Sequence, residues 1–294
     1  MFRWLFARCL LAMLLLASSQ ELRAAFNLQI TISPTASFTT TQRTILLDAL
    51  AEAEALWEGV VTGYQSGISL TGISITVDSN STFAEASPIG AVTQGGFSLT
   101  TSGRVGINAG VIDAFASWNG TPGPVNPPPE YLGLNYVDEI LAHEIGHVLG
   151  IGTKWVVNGV YATNSFQYTG QYGVAAYRQE FDPLATFVPV ENAGGPGTPN
   201  THWNQLMRSS TLEGDPNDPW SLDPRVGITN AQGRDFASEL MTGALDPDYG
   251  EPFLSFTTIQ SLRDIGFTVV PEPAAGLLLA MGVLLAGRCR RLTS

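Results

Sequence analysis

Two histidines four residues apart, His143 and His147, lie in the run Ala142-His143-Glu144-Ile145-Gly146-His147-Val148-Leu149-Gly150-Ile151-Gly152. On a helix such residues stand one above the other on the same face, so both imidazoles reach one metal ion at about 2.0–2.1 Å. Glu144 follows the first histidine, where its carboxylate reaches water beside the ion without being a ligand. This is the H-E-x-x-H arrangement of zinc hydrolases, with the glutamate as general base. A helix is expected on independent grounds. Asn135 is placed to cap it, and Asp138 and Glu139 favour the positive end of its dipole. Ile140, Leu141, Ile145, Val148 and Leu149 supply an apolar surface, and Gly150 ends the helix in a left-handed conformation. Gly146 costs about 1 kcal/mol against alanine in a helix interior, which predicts a close neighbour there.

Gly150-Ile151-Gly152 lets the chain turn sharply and bring a third ligand back. The sequence holds three histidines in all, and the third is His202. The plainer alternative is a pair of helical histidines satisfied by hydrogen bonds in a core.

Both ends of the 294-residue chain differ in character from what lies between them. Met1 to Ala25 has a basic start (Arg3, Arg8), an apolar run from Cys9 to Ala17 and small residues beyond it. This reads as a secretory signal with cleavage either in Ala17-Ser18-Ser19 or, as favoured, before Phe26. The tail, 271–294, begins Pro271-Glu272-Pro273, continues with an apolar run over 274–287 and ends Arg288-Cys289-Arg290-Arg291. It resembles the PEP-CTERM sorting signal of Gram-negative bacteria. That resemblance implies transient inner-membrane association, removal by an exosortase-type enzyme and release to the surface or outside. A plain C-terminal anchor is the alternative.

Between these ends, residues 26–270 carry eight basic and 24 acidic residues, a net charge of −16. Such acidity disfavours a nucleic-acid partner and signals solubility, with Ca2+ binding a secondary possibility. Both cysteines, Cys9 and Cys289, fall in the end segments, so the exported part has no disulfide and no thiol for a latency switch. A 44% hydrophobic composition suits a globular core.

Phe26 to Ile32 alternates as a first strand. Thr40 or Thr41 then caps a long helix from about Gln42 to Thr62, with Asp48, Glu52, Glu54 and Glu58 on a solvated face. Leu70 to Val77 reads as a second strand, Ser87 to Gly96 as a Gly- and Ser-rich passage, Arg104 to Asn108 as a short strand and Val111 to Trp118 as a helical turn. A proline-rich surface loop, Thr121 to Glu130, leads into the histidine helix. This order predicts an α+β domain: an α/β-type N-terminal lobe over about 26–152, then a mostly irregular C-terminal lobe over about 153–270. In the second lobe a short helix is expected around Val174 to Phe181, and an irregular run from Val188 to Thr198 delivers His202 and Trp203. Asp215, Asp218 and Asp223 offer calcium ligands, though their spacing matches no EF-hand. Ser255 or Thr257 caps a last helix, Thr258 to Asp264, ended at Gly266.

Taken together, the histidine helix with Gly150, the late His202-Trp203 and the turn Glu239-Leu240-Met241-Thr242-Gly243 resemble the metzincin zinc peptidases, specifically the bacterial relatives of leishmanolysin. Many metzincins place the third histidine where Thr153 stands here, whereas leishmanolysin-like proteins carry an insertion before it and a tryptophan after it. The resemblance spans about Phe26 to Val269. It implies a twisted sheet with a long helix and an active-site helix, and one Zn2+ on His143, His147 and His202. Glu144 is the implied base for a zinc-bound water, and Met241 the residue packed beneath the metal without ligating it. An astacin-like tyrosine ligand is disfavoured, because Thr242 and Gly243 follow the methionine and Tyr249 is remote.

The expected activity is hydrolysis of protein or peptide bonds by an exported endopeptidase, with the substrate bound along an exposed strand edge above the helix. Trp155 and Trp203 either wall the cleft or pack beneath it. Two alternatives stay open. A glutamate, Glu180 or Glu239, takes the third ligand position as in gluzincins; or the chain is an extracellular matrix or surface protein with a structural or vestigial zinc site.

Overall fold

The computed structural model describes residues 26–121, 129–205, 228–245 and 252–271. The signal-like start, the Pro127-Pro128 stretch, the Asp215–Asp223 passage, Tyr249 and the sorting-type tail lie outside them. In chain order the elements are β1 (Asn27–Ile32), α1 (Thr40–Val60), β2 (Val61–Tyr64), β3 (Gly72–Ser79), β4 (Ala84–Gln94), β5 (Phe97–Ile107), α2 (Ala109–Phe115) and α3 (Val137–Leu149). Then follow β6 (Gln167–Tyr168), α4 (Gln171–Glu180), β7 (Val188–Pro189), α5 (Phe256–Ser261) and β8 (Phe267–Val269).

Four strands make a twisted mixed sheet in the order β1-β3-β5-β4, with β1, β3 and β5 parallel and β4 antiparallel at the edge. Ile73, Ile75 and Val77 of β3 are buried while Ser74 and Thr76 between them are exposed, so one face of the sheet is covered. The covering layer is α1 beside α3. Trp57 of α1 is fully buried and its Nε1 donates to the Ala142 carbonyl at 2.8 Å. A Cβ at Gly103 of β5 would fall 2.4 Å from a Val148 methyl, which shows how closely α3 lies on that strand.

Local chemistry moved several boundaries. Thr39, not Thr40 or Thr41, caps α1: its Oγ1 accepts from Gln42 N at 3.2 Å and Gln42 Oε1 accepts from Thr39 N at 3.0 Å. A reciprocal capping box needs Gln three residues on, and only Thr39 has it. On α1, Glu58 is not merely solvated, since its Oε1 accepts the Leu28 N–H at 2.7 Å. The passage Ser87–Gly96 is most of strand β4 and its turn, not a loop. Ala84, Ala86, Gly90 and Ala91 are too small to print a hydrophobic alternation, but Gly95 and Gly96, both at positive φ (56° and 87°), turn the β4–β5 hairpin. Pro88 and the bulges around Gly90 are tolerated because β4 is an edge strand.

The second half of the chain is mostly irregular and is tied back to the first. Strand β8 pairs with β2, immediately after α1. Helices α4 and α5 cap one another with carboxylates. Asp264, just past α5, accepts from Tyr172 N at 2.9 Å, Gly173 N at 2.8 Å and the Tyr168 hydroxyl at 2.9 Å. Glu180, the last residue of α4, accepts from Thr257 N at 2.9 Å and Thr257 Oγ1 at 3.0 Å. Each carboxylate satisfies orphan N–H groups of the other helix. Asp264→Ala removes the acceptor for three donors, and a loss of about 2–4 kcal/mol is expected in denaturant unfolding; a loss below about 0.5 kcal/mol would show the cap to be dispensable.

Candidate metal centre

Helix α3 begins at Val137, so Asn135 acts one step earlier than a true cap, accepting the Val137 N–H at 3.1 Å. The helix ends at Gly150 (φ 122°). Thr153, at the position where short-spaced metzincins carry a histidine, donates its hydroxyl to the His147 carbonyl at 2.7 Å and closes the helix end. The expected close neighbour of Gly146 is Met241: a Cβ there would sit 2.5 Å from its sulfur and 3.0 Å from Trp57. Met241 is thus packed against the ligand-bearing helix, fully buried.

His202 arrives on one arm of an irregular hairpin. Val190 bridges Trp203, Glu191 N donates to the His202 carbonyl at 2.9 Å and Asn204 N to the Pro189 carbonyl at 3.0 Å. The run from Val188 therefore has more regular pairing than its Gly and Pro content suggests, with β7 at its start. Two close approaches seat the hairpin. Asn200 is held at φ 72°, its Oδ1 accepting from the Tyr161 hydroxyl at 2.5 Å and Asn164 N at 2.7 Å. At Gly152 (φ 73°) a Cβ would fall 2.1 Å from the Thr201 carbonyl oxygen.

The three imidazoles converge. Their Nε2 atoms form a triangle with sides of 3.2 Å (His143–His202), 3.1 Å (His143–His147) and 3.0 Å (His147–His202). Every Nδ1 points outward to a backbone carbonyl: His143 to Leu240 at 2.6 Å, His147 to Ile151 at 2.9 Å and His202 to Thr198 at 2.9 Å. A carbonyl only accepts, so each Nδ1 carries the proton and each Nε2 presents a lone pair to the centre. Three lone pairs facing one another are unfavourable unless a cation sits among them. A tetrahedral ion with bonds of about 2.0–2.1 Å requires donors about 3.3 Å apart, close to this triangle. The donor set therefore fits a divalent first-row metal, and among the described residues this is the cluster of metal-ligating groups.

Electrostatics point the same way. Burial lowers the pKa of all three rings: His143 below its usual range, His147 well below it with the neighbouring rings adding to the effect, and His202 to about 3. The rings are held neutral, the ligating form. Glu144, buried on the same helix, is pushed up from 4.5 to about 8, first by desolvation and then by the negative charge of Glu85 on β4. No described group donates a hydrogen bond to its carboxylate.

The other sequence candidates fall elsewhere. Glu180 caps α5, and Glu239 lies among four donors from the segments 241 and 255–258, so neither completes the ligand set. Trp155 and Trp203 are fully buried and stacked at 4.5 Å, so they pack in the core and do not wall a cleft. What the sequence did not reveal is the set of carbonyls, Leu240, Ile151 and Thr198, that fix the tautomers; main-chain acceptors leave no mark in residue type. No family model, curated protein or solved structure matches this chain.

Gly152→Ala is expected to push the Thr201 segment away and weaken divalent metal binding about tenfold or more, measured by competition with a chromophoric chelator; unchanged affinity would mean the loop accommodates the methyl. Glu144→Gln tests the burial cost. The folded-state pKa of about 8 lies above the unfolded 4.5, so this carboxyl's contribution is full below pH 4.5 and is lost as pH rises toward 8. In metal-free protein the variant should gain about 1–3 kcal/mol at pH 8 and nothing near pH 4.5. Equal stability at pH 8 would contradict that environment.

Proposed function

We propose that the chain is a zinc-dependent endopeptidase of metzincin type, similar to leishmanolysin, exported and released at the surface of a Gram-negative bacterium. The observation that carries this reading is the triangle of three Nε2 atoms 3.0–3.2 Å apart, with a buried carboxylate, Glu144, on the same helix. Three ligands leave a fourth position open, as catalytic sites require and closed structural sites do not. Further support comes from the mixed sheet with its antiparallel edge strand, the helix ending at Gly150 and Met241 beneath the ligands. The signal-like start and the Pro-Glu-Pro tail support export and an exosortase-type processing partner.

Zinc, when bound, supplies Lewis acidity that polarises the scissile carbonyl and makes water a better acid. His143, His147 and His202 would hold it. The chain's own part is proton handling and orientation. Glu144 takes a proton from water as the water oxygen adds to the carbonyl carbon, then delivers it to the amine nitrogen as the C–N bond breaks. A carboxyl with a raised pKa suits both halves of that transfer, and a nearby dication shifts it back toward the ionised, accepting form. Strand β4 pairs on one side only among the described strands, with β5. Its segment Ala84–Ser87, which contains Glu85, offers a free edge to which an extended peptide adds as a further strand.

The purified full chain should hydrolyse casein or gelatin, lose this with a chelator and regain it with zinc. Glu144→Ala should cut the rate about 10²–10⁴-fold while zinc stays bound. Tight zinc binding without hydrolysis of diverse proteins would instead favour the surface or matrix reading.

A further inference from the structure

Glu239 is 1% exposed, and no cationic side chain among the described residues pairs with it. Its charge is met by four donors. Oε2 accepts from Met241 N at 2.6 Å. Oε1 accepts from Ser255 N at 3.1 Å, Ser255 Oγ at 2.8 Å and Thr258 Oγ1 at 2.5 Å. The carboxylate thus bridges the turn 239–242 to the first turn of α5. Burying a carboxylate this deeply is costly even when it is fully hydrogen-bonded, and a helix start can be capped by the Ser255 hydroxyl alone, which already accepts from Thr258 N at 3.0 Å.

Two chains of contact run from this carboxylate to the metal ligands. The first is short: Glu239 holds Met241 N, and between them lies Leu240, whose carbonyl accepts the His143 Nδ1–H at 2.6 Å. The second passes through Thr258. Its hydroxyl donates to Glu239 and so turns its lone pair to Trp203 Nε1, which donates to it at 2.7 Å. Trp203 is next to His202, and its own N–H donates to the Met241 carbonyl at 3.0 Å. Two of the three imidazoles, from elements far apart in sequence, are therefore referred to one acceptor.

We propose that Glu239 is a positioning residue of the metal centre: its carboxylate fixes the Leu240 carbonyl and the Trp203 indole together, and through them the His143 and His202 rings. This rests on the metal-centre reading, and it is independent of whether the bound metal hydrolyses peptides. Glutamine cannot replace the group, because its amide nitrogen is a donor facing other donors, either Met241 N or the Ser255 and Thr258 set. Outer partners of this kind are worth about 10–100-fold in metal affinity.

The experiment compares Glu239→Gln with Glu180→Gln in the full chain. Glu180 is the natural control, a part-buried carboxylate that also binds the start of α5 but makes no hydrogen bond to Met241, Thr258 or Trp203. Zinc dissociation constants are read by chelator competition, and the visible spectrum of the cobalt(II)-substituted protein reports ligand geometry. Glu239→Gln should weaken zinc about 10–100-fold and shift the cobalt bands, while Glu180→Gln lowers the unfolding midpoint and leaves both unchanged. Wild-type zinc affinity and cobalt bands in a folded Glu239→Gln overturn the proposal, as does an equal loss in Glu180→Gln. If Glu239→Gln does not fold, Thr258→Val breaks the Trp203 route, with its hydrogen bonds to Glu239 and Ser255, and leaves the Leu240 route in place; it should weaken zinc about tenfold, and unchanged affinity overturns the proposal. Zinc-loaded wild type that cleaves no protein sinks the peptidase reading and leaves this one standing, whereas wild type that binds no divalent metal sinks both.

Discussion

Everything at the centre of this molecule depends on where three imidazole protons sit. Each Nδ1–H is committed to a main-chain carbonyl, Leu240, Ile151 or Thr198, and that commitment turns three Nε2 lone pairs onto one point. In water such a cluster would rotate apart or protonate. Here burial suppresses protonation and packing suppresses rotation, so the repulsion persists until a cation relieves it. Hydrogen bonds on the outer side of each ring thus hold the three imidazoles in an arrangement that fits a metal ion.

Preorganisation of this kind needs close packing between segments distant in sequence, and small residues supply it. Gly146 weakens α3 as a helix but admits the Met241 thioether and the Trp57 ring, and Gly152 admits the backbone of the loop carrying His202. A larger side chain at Gly146 would improve helix propensity but separate the parts of the site, and at Gly152 (φ 73°) it would also strain the backbone. Trp203, next to His202, is itself held by its stack on Trp155 and by hydrogen bonds to the Met241 carbonyl and the Thr258 hydroxyl.

Sequence made some of this legible and hid the rest, for identifiable reasons. The histidine helix was readable because helical geometry puts His143 and His147 on one face, and the chain's third histidine joins them in one cluster. Gly146 announced a close contact because glycine in a helix interior needs a reason. Strand β4 was missed because an edge strand of alanine, glycine and proline has little apolar alternation to read. The sequence places the cap of α1 at Thr40 or Thr41, one or two residues late, and the partner Gln42 decides among the three threonines for Thr39. Glu239 was visible as a rival ligand and as the start of the turn 239–243, with no sign of a role of its own there. Its place among four donors depends on a fold that brings α5 to the turn 239–242, and no local pattern encodes that.

The proposed centre holds its metal by three imidazoles and no protein carboxylate. X-ray absorption on the zinc-loaded chain measures this directly. The predicted result is three imidazole nitrogens at about 2.0–2.1 Å plus one light solvent atom, falling to two imidazoles in His202→Ala. Only two imidazoles on zinc in the wild type, or a spectrum unchanged by removal of His202, would contradict it.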